Sequence, residues 1–344
     1  MHHQGGNVAI RKRTVIASLA LCAALALTVA SIGSAKSTDA QATDIKVAVV
    51  TDIGGLNDKG FNALAAKGLK NAEKQLGVSG RVYISKTAAD YIPNLSAAAR
   101  GGYDLVVANG FLMGDATAAV AKRFPDTKFA IIDFPAAALK GTPKNARGLV
   151  FKENEAGYLA GVAAATVAKG GTVSFVGGQD VPAVVHFLAG YKAGAPKTNA
   201  KTKVLSGYSQ EFVDPAPCKE LALNQISKGS KVVFAAAGQC GLGALQAAKE
   251  KGVWGIGVDA DQGYLGTHIL TSATKKVDLA VFTTAKQVVD GSFKGGIDGV
   301  FTMKNGGVGF GKVSVKAPNR AALIAKLSAV SKQIASGKIK VPSQ

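Results

Sequence analysis

The feature that most constrains this chain is a repeated alternation. Short runs of aliphatic residues, each four to seven long, are separated by alanine-rich stretches of helical length. Strands that are buried on both faces read as continuous apolar runs, and a parallel sheet needs a crossover helix between successive strands, so the pattern predicts α/β architecture. The first cycle places strands at Ile45–Thr51, Arg81–Ser85, Leu105–Ala108 and Phe129–Asp133. Helices fall between them, over about Gly60–Leu76, Asp90–Gly101 and the alanine stretch ending near Phe124. A second cycle opens with a helix at Glu153–Ala168. It continues with strands at Thr172–Val176, Lys203–Tyr208, Val232–Ala236 and Trp254–Val258, and helices near Val181–Ala193, Pro217–Lys228 and Leu242–Lys251. Two α/β blocks of similar size emerge without a tandem sequence repeat, which points to two similar lobes and not a solenoid.

In open parallel sheets ligands bind beyond the carboxyl ends of the strands. The segments to search are therefore 52–62, 109–115, 133–135, 177–181, 209–214, 238–243 and 259–262.

Ahead of this pattern, Arg11-Lys12-Arg13 precedes an apolar run from Thr14 to about Ile32 and then Gly33-Ser34-Ala35. This is the order of a secretory signal with a small-residue cleavage site. A membrane anchor is the competing reading, but the run is alanine-rich and followed by a polar stretch. Cys22 lies inside the run after Leu21, where a lipid-attachment motif wants a small residue, so a cleaved product without a lipid anchor is expected. That product would sit outside the cytoplasm, in a periplasm or on the exterior of the cell envelope. Residues 1–42 are read as leader and linker.

The chain carries 41 basic and 22 acidic residues. With Arg11, Lys12, Arg13, Lys36 and Asp39 removed in the leader, 37 and 21 remain, a balance of +16. The lysines are scattered singly, without runs or interleaved aromatics, so the balance reads as a basic solvated surface and no nucleic-acid partner is expected. Cys218 and Cys240 remain beyond the leader, compatible with one disulfide or two buried thiols.

Enzymatic classes find little support. Gly238-x-x-Gly241-x-Gly243 has the wrong spacing for a dinucleotide loop and lacks a phosphate-binding lysine. His186 and His268 are far apart, without clustered cysteine or histidine, and read as surface or loop residues. No G-x-S-x-G nucleophile turn occurs. Neither a cofactor nor a metal is expected.

The loop Asp52-Ile53-Gly54-Gly55-Leu56-Asn57-Asp58-Lys59-Gly60-Phe61-Asn62 offers a carboxylate at a strand end and an aromatic at a helix start. These suit hydrogen-bonding and stacking on a flat polar ligand, and equally suit a helix cap with a hydrophobic staple. Asp52-x-Gly-x-x-Asn57-Asp58-x-x-Phe61-Asn62 resembles the opening signature of the basic membrane protein (BMP) family of purine-nucleoside-binding ABC receptors. The resemblance recurs at Lys128–Asp133, Phe151–Gly161, Phe175–Gly178, Phe212–Pro215, Ala236–Gly238, Ile256–Gln262 and Ser272–Asp278. It implies a type I periplasmic-binding-protein fold, two Rossmann-like lobes joined by a multi-strand hinge with a ligand cleft between them. The lobes expected are 43–151 with 276–295, and 152–275 with 296–344. Crossings are expected near Val150–Lys152, Thr274–Asp278 and Gly295–Phe301.

The resemblance further implies Phe61 and Phe212 as two aromatic faces around a purine and Asp133 on the base edge. Asp259 and Lys275 would hold ribose hydroxyls, with Asp52, Asn57 and Gly238 completing the pocket. Its partners would be a nucleoside and an ABC permease, and the protein would be a monomer. A sensing receptor, or a sugar-binding protein of the same fold, is the alternative. The sequence departs from the family pattern at Gln239-Cys240, where a thiol stands beside the expected pocket, and a Cys218–Cys240 bridge would stiffen that rim.

Overall fold

The computed structural model describes residues 43–344, so the leader and Cys22 lie outside the described residues. In chain order the first half runs β1 (Lys46–Thr51), α1 (Phe61–Leu76), β2 (Ser79–Tyr83), α2 (Tyr91–Arg100), β3 (Leu105–Asn109), α3 (Gly114–Arg123), β4 (Lys128–Ile132) and β5 (Ala146–Phe151). The second half runs α4 (Glu153–Ala168), β6 (Thr172–Gly177), α5 (Pro182–Thr198), β7 (Lys203–Tyr208), α6 (Pro215–Ser227), β8 (Val232–Ala236), α7 (Gly241–Glu250), β9 (Trp254–Asp259) and β10 (Ile269–Lys275). The chain ends with α8 (Val277–Val289), β11 (Asp298–Phe301), β12 (Val308–Phe310) and α9 (Arg320–Ala335).

Two six-stranded sheets form, in the orders β11-β5-β4-β3-β1-β2 and β12-β10-β9-β8-β6-β7. All pairings are parallel except β10 with β12. The central strands β3 and β8 are buried along their whole length, as their unbroken apolar sequences require. Helix boundaries follow local chemistry. Gly77 ends α1 in a left-handed conformation (φ 70°), Pro182 and Pro215 open α5 and α6, and the Asp214 side chain accepts from the Ala216 N–H as the α6 cap.

Helix α4 is apolar nearly all round and almost wholly buried, packed on the second sheet, α5 and α9. Its approach to α5 is set by reciprocal glycines. A Cβ on Gly157 would strike the Phe187 carbonyl, one on Gly161 the Tyr191 carbonyl, one on Gly190 the Asn154 carbonyl, and one on Gly194 the Tyr158 carbonyl. The two backbones therefore touch, the first half of α4 against the middle and later turns of α5.

The sequence reading left β5, β10, α8, β11, β12 and α9 unassigned. Arg147 and Gly148 interrupt β5, and Thr271, Ser272, Thr274 and Lys275 give β10 a polar composition that conceals a fully buried strand. The chain leaves the first sheet after β5, and α8 returns to pack on α1. The third crossing differs from the expectation. Residues 298–301 were placed in the C-terminal lobe, but β11 pairs with β5 from Asp298↔Gly148 to Phe301↔Phe151, so the chain leaves the first sheet only after Phe301.

Candidate functional site

The carboxyl ends of the two sheets face each other across a cavity lined from both sides. Of the eight expected ligand residues, Asp52, Phe61, Asp133, Phe212, Gly238, Asp259 and Lys275 all line it. Asn57 does not. It is exposed in a single turn at Gly55–Asp58 and points away, while its neighbour Asp58 is buried. Asp58 accepts from the backbone N–H groups of Gly60, Asn62 and Ala63, so the helix-cap reading of this loop holds for Asp58 while Phe61 behind it lines the cavity.

On the first sheet Asp52 follows β1. One of its oxygens accepts from the Tyr91 hydroxyl and from the Ile53 N–H. Gly110, after β3, leaves room for the other oxygen, into which a Cβ would collide. Burial pushes the Asp52 carboxyl up to about 6 against those two hydrogen bonds, and the nearby Asp133 charge adds to the rise. Asn62 ties the loops together: its oxygen accepts from the Asp52 N–H and the Asn109 amide, and its amide donates to the carbonyls of Asp52 and Ile53.

The opposite loops present Asp133 after β4 and Asp259 at the end of β9. Both take a left-handed backbone (φ 65° and 60°), a conformation aspartate tolerates better than most side chains, and both are third in strand order in their sheets. Between them lies Lys275, the last residue of β10. Its ammonium is 2.7 Å from Asp133 Oδ2, 3.8 Å from Asp259 Oδ1 and 3.9 Å from Glu153 Oε1. All four groups are buried. Burial works against the lysine charge, but the carboxylates of Asp133, Asp259 and Glu153 outweigh it and hold the ammonium above its usual range. Burial drives Asp259 up to about 7; Lys275 opposes the shift, while Asp133, Asp58 and Glu153 add to it. Oδ1 of Asp133 and Oδ1 of Asp259 have no hydrogen-bond partner although both are buried.

The apolar lining is aromatic. Phe61 comes from α1, Phe111 from the loop after β3, Phe187 from α5 and Phe212 from the loop after β7. The Lys275 ammonium lies 4.7 Å from the centre of the Phe61 ring, a cation–π distance. Gly178 clears space for the Phe212 ring, and Glu211 Oε1 accepts from the N–H groups of Phe212 and Val213 to fix that loop. Cys240 donates its N–H to the Phe212 carbonyl and is disulfide-bonded to Cys218 at the start of α6. Gly238 lies against the same carbonyl in a left-handed turn (φ 56°). Near the cleft mouth the Tyr264 hydroxyl donates to the Lys59 carbonyl of the opposite lobe at 3.2 Å, so the two lobes touch here as well as through Lys275 and Asp133.

Sequence reasoning named the loops at 52–62 and 109–115 but missed Asp58, Asn62 and Phe111 as lining residues. It missed Phe187 and Glu153 because they sit within helices, in positions that read as packing. His186, read as a surface or loop residue, is on α5 and contacts the buried Glu153. Among the described residues no cluster of histidine, cysteine or acidic residues has a metal-binding arrangement, and no helix is long and apolar enough to cross a membrane.

Two lobes closing on a cavity at the carboxyl ends of their sheets define the type I solute-binding fold. A solved ABC transporter solute-binding protein from Aeropyrum pernix K1 shares it with a TM-score of 0.76 at 28% identity, over 87% of this chain and 94% of that one. Residues 45–344 match the family described as ABC transporter substrate-binding protein PnrA-like, and the chain belongs to that family. Among its relatives, the Lactococcus lactis protein named ABC transporter nucleoside-binding protein BmpA is 36% identical, covering 97% of this chain and all of the relative. An uncharacterised lipoprotein of Pyrococcus abyssi is 35% identical over 81% of this chain and 72% of its own length. The protein is thus an extracytoplasmic substrate-binding component of an ABC transporter and not an enzyme, with a small-molecule ligand and a transporter as partners.

Proposed function

We propose that the cleft captures a purine nucleoside for import, its base against the aromatic lining and its ribose at the acid–lysine end. The observation that carries this reading is the pair of buried, unpartnered oxygens on Asp133 and Asp259, grouped around one lysine in an otherwise aromatic cavity. A buried acceptor without a donor costs about 1–3 kcal/mol, which a ligand donating to both oxygens would recover. Because both aspartates lie within 4 Å of the same ammonium, we assign both to the ribose diol and leave Asp52 to the base edge. That grouping moves Asp133 from the base edge, where the family resemblance put it, to the sugar. The Lactococcus relative's name supports a nucleoside ligand.

On this reading residues 1–42 export the chain, which works as a monomer delivering its ligand to a permease. The division of labour between lobes is that of 43–151 with the returning α8 and β11 against the remainder. Thermal shift and calorimetry against adenosine, guanosine, inosine, cytidine, uridine, ribose and free bases test the proposal, since a ligand bound only by the folded state raises the melting temperature. Selective stabilisation by purine nucleosides is expected. A response to sugars alone, or to none of the panel, would refute it.

A further inference from the structure

Glu153 is the charged member of this cluster that does not line the cavity. It is the first residue of α4, where an acid is favourable to the helix dipole, but a helix-start acid would ordinarily be solvated. This one has a side chain 2% exposed. Its two oxygens face different groups: Oε1 is 3.9 Å from the Lys275 ammonium, and Oε2 is 3.1 Å from Nδ1 of His186. His186 lies on α5 next to Phe187, whose carbonyl packs against Gly157 of α4, so backbone contact between the two helices holds this pair close. The His186 side chain is 33% exposed and is the cluster's contact with solvent, since Asp133, Asp259, Glu153 and Lys275 are all nearly sealed. The apolar neighbours of Lys275 are the rings of Phe61, Phe151 and Phe187.

Three carboxylates around one ammonium carry more negative charge than it can balance, and each acid that stays ionised claims part of the lysine. Asp133 and Asp259 approach it from the cavity side, and Glu153 comes from outside the lining. We propose that Glu153 is a positioning residue for the ligand: with His186 behind it, it shares the Lys275 ammonium from outside the lining, so that the ammonium, hydrogen-bonded to Oδ2 of Asp133, does not satisfy every cavity oxygen and Oδ1 of Asp133 and Oδ1 of Asp259 stay open to the ligand. Glu153 is also held above the usual carboxylate range, chiefly by burial, with the His186 hydrogen bond and the Lys275 charge opposing and Asp133 adding. This inference rests on the acid–lysine cluster receiving the ligand's hydroxyls, as proposed above.

The test is the isosteric variant Glu153→Gln, with His186→Asn beside it, in two measurements. Inosine affinity is measured by calorimetry from pH 5 to 9. E153Q is expected to bind about tenfold more weakly at neutral pH with a flattened pH profile, and H186N to change the profile in the same direction but less. In ligand-free protein, an acid whose folded pKa is raised contributes stability at low pH that is lost as pH rises. The melting temperature of E153Q relative to wild type is therefore expected to climb as pH rises above the ordinary 4.5 of a glutamate, whereas an acid that only packs gives a constant difference. Wild-type affinity and pH profile in E153Q would overturn the proposal. If wild-type protein binds no nucleoside, the nucleoside reading falls, and the melting comparison alone decides the role of Glu153: a pH-independent difference overturns it.

Discussion

The two lobes share a strand order but secure their ligand-facing loops by different means. In the first, the loop after β3 is tied to α1 through Asn109 and Asn62, and Asp52 is fixed by Tyr91 of α2. In the second, the corresponding loop after β8 is tied to α6 by the Cys218–Cys240 disulfide and to the Phe212 loop by a backbone hydrogen bond. The charges divide unequally too. The first lobe supplies Asp52, Asp58 and Asp133 to the cavity, while the second supplies Asp259 and Lys275, the one cation among the described lining residues. Asp133 is therefore balanced by Lys275 only when the lobes meet, whereas Asp259 has the lysine within its own lobe, and closure completes the site.

That division can be broken most severely at Lys275. Lys275→Met is expected to abolish nucleoside binding, by more than about 100-fold, and to destabilise the closed form by about 3–5 kcal/mol, because it leaves Asp133, Asp259 and Glu153 buried without a counter-charge. Calorimetry together with small-angle scattering would check both, the second as a shift to a more open particle. Removing the bridge with C218S/C240S closes no new contact but frees a 22-residue loop in the unfolded chain, a loss of about 3 kcal/mol. Denaturant melts should show it, and affinity should fall less than in the lysine variant. Phe61→Ala and Phe212→Ala, one from each lobe, should each cost about 1–3 kcal/mol of nucleoside affinity, measured by the same titration. Loss in only one of them would mean that the lobes do not share the base.

The mildest perturbation is pH. Asp259 is pushed up to about 7 from the ordinary 3.8. With a raised folded pKa, its contribution to ligand-free stability is present below pH 4 and lost as pH rises through 7, by at most about 1.4 kcal/mol per unit for one proton. Nucleoside affinity should move the opposite way, strengthening over the same window as the ionised acceptor forms. Melting and binding curves for wild type and Asp259→Asn check this, and the variant should flatten both.

Much of this architecture is legible in the sequence because several strands buried on two faces carry few or no polar residues to hide them. LVVAN and VVFAA announce themselves. The strand that carries the central lysine does not. ILTSATK is buried throughout, yet its hydroxyls read as loop, and their burial is explained only by neighbours distant in sequence, such as Gly311 for Thr271 and the Gln262 N–H for Ser272. The same holds for the site. Asp133, Asp259 and Lys275 were marked by strand ends and family resemblance, but their convergence on one ammonium depends on a lobe-to-lobe contact with |i−j| of 142. Asn57 and Asp58 show the limit at shortest range: adjacent residues in one motif, of which the cap is buried in the cavity wall and the other faces solvent.

The central claim is that the buried acid–lysine end of the cleft receives a ribose diol. A calorimetric comparison of inosine with 2′,3′-dideoxyinosine tests it most directly, since the two differ only in the hydroxyls that would satisfy Asp133 and Asp259. Tight binding of inosine with a loss of more than about 100-fold for the dideoxy compound is expected, because the two acceptors would again be left buried without donors. Equal binding of the two would contradict the account and move the recognition of the ligand away from Lys275.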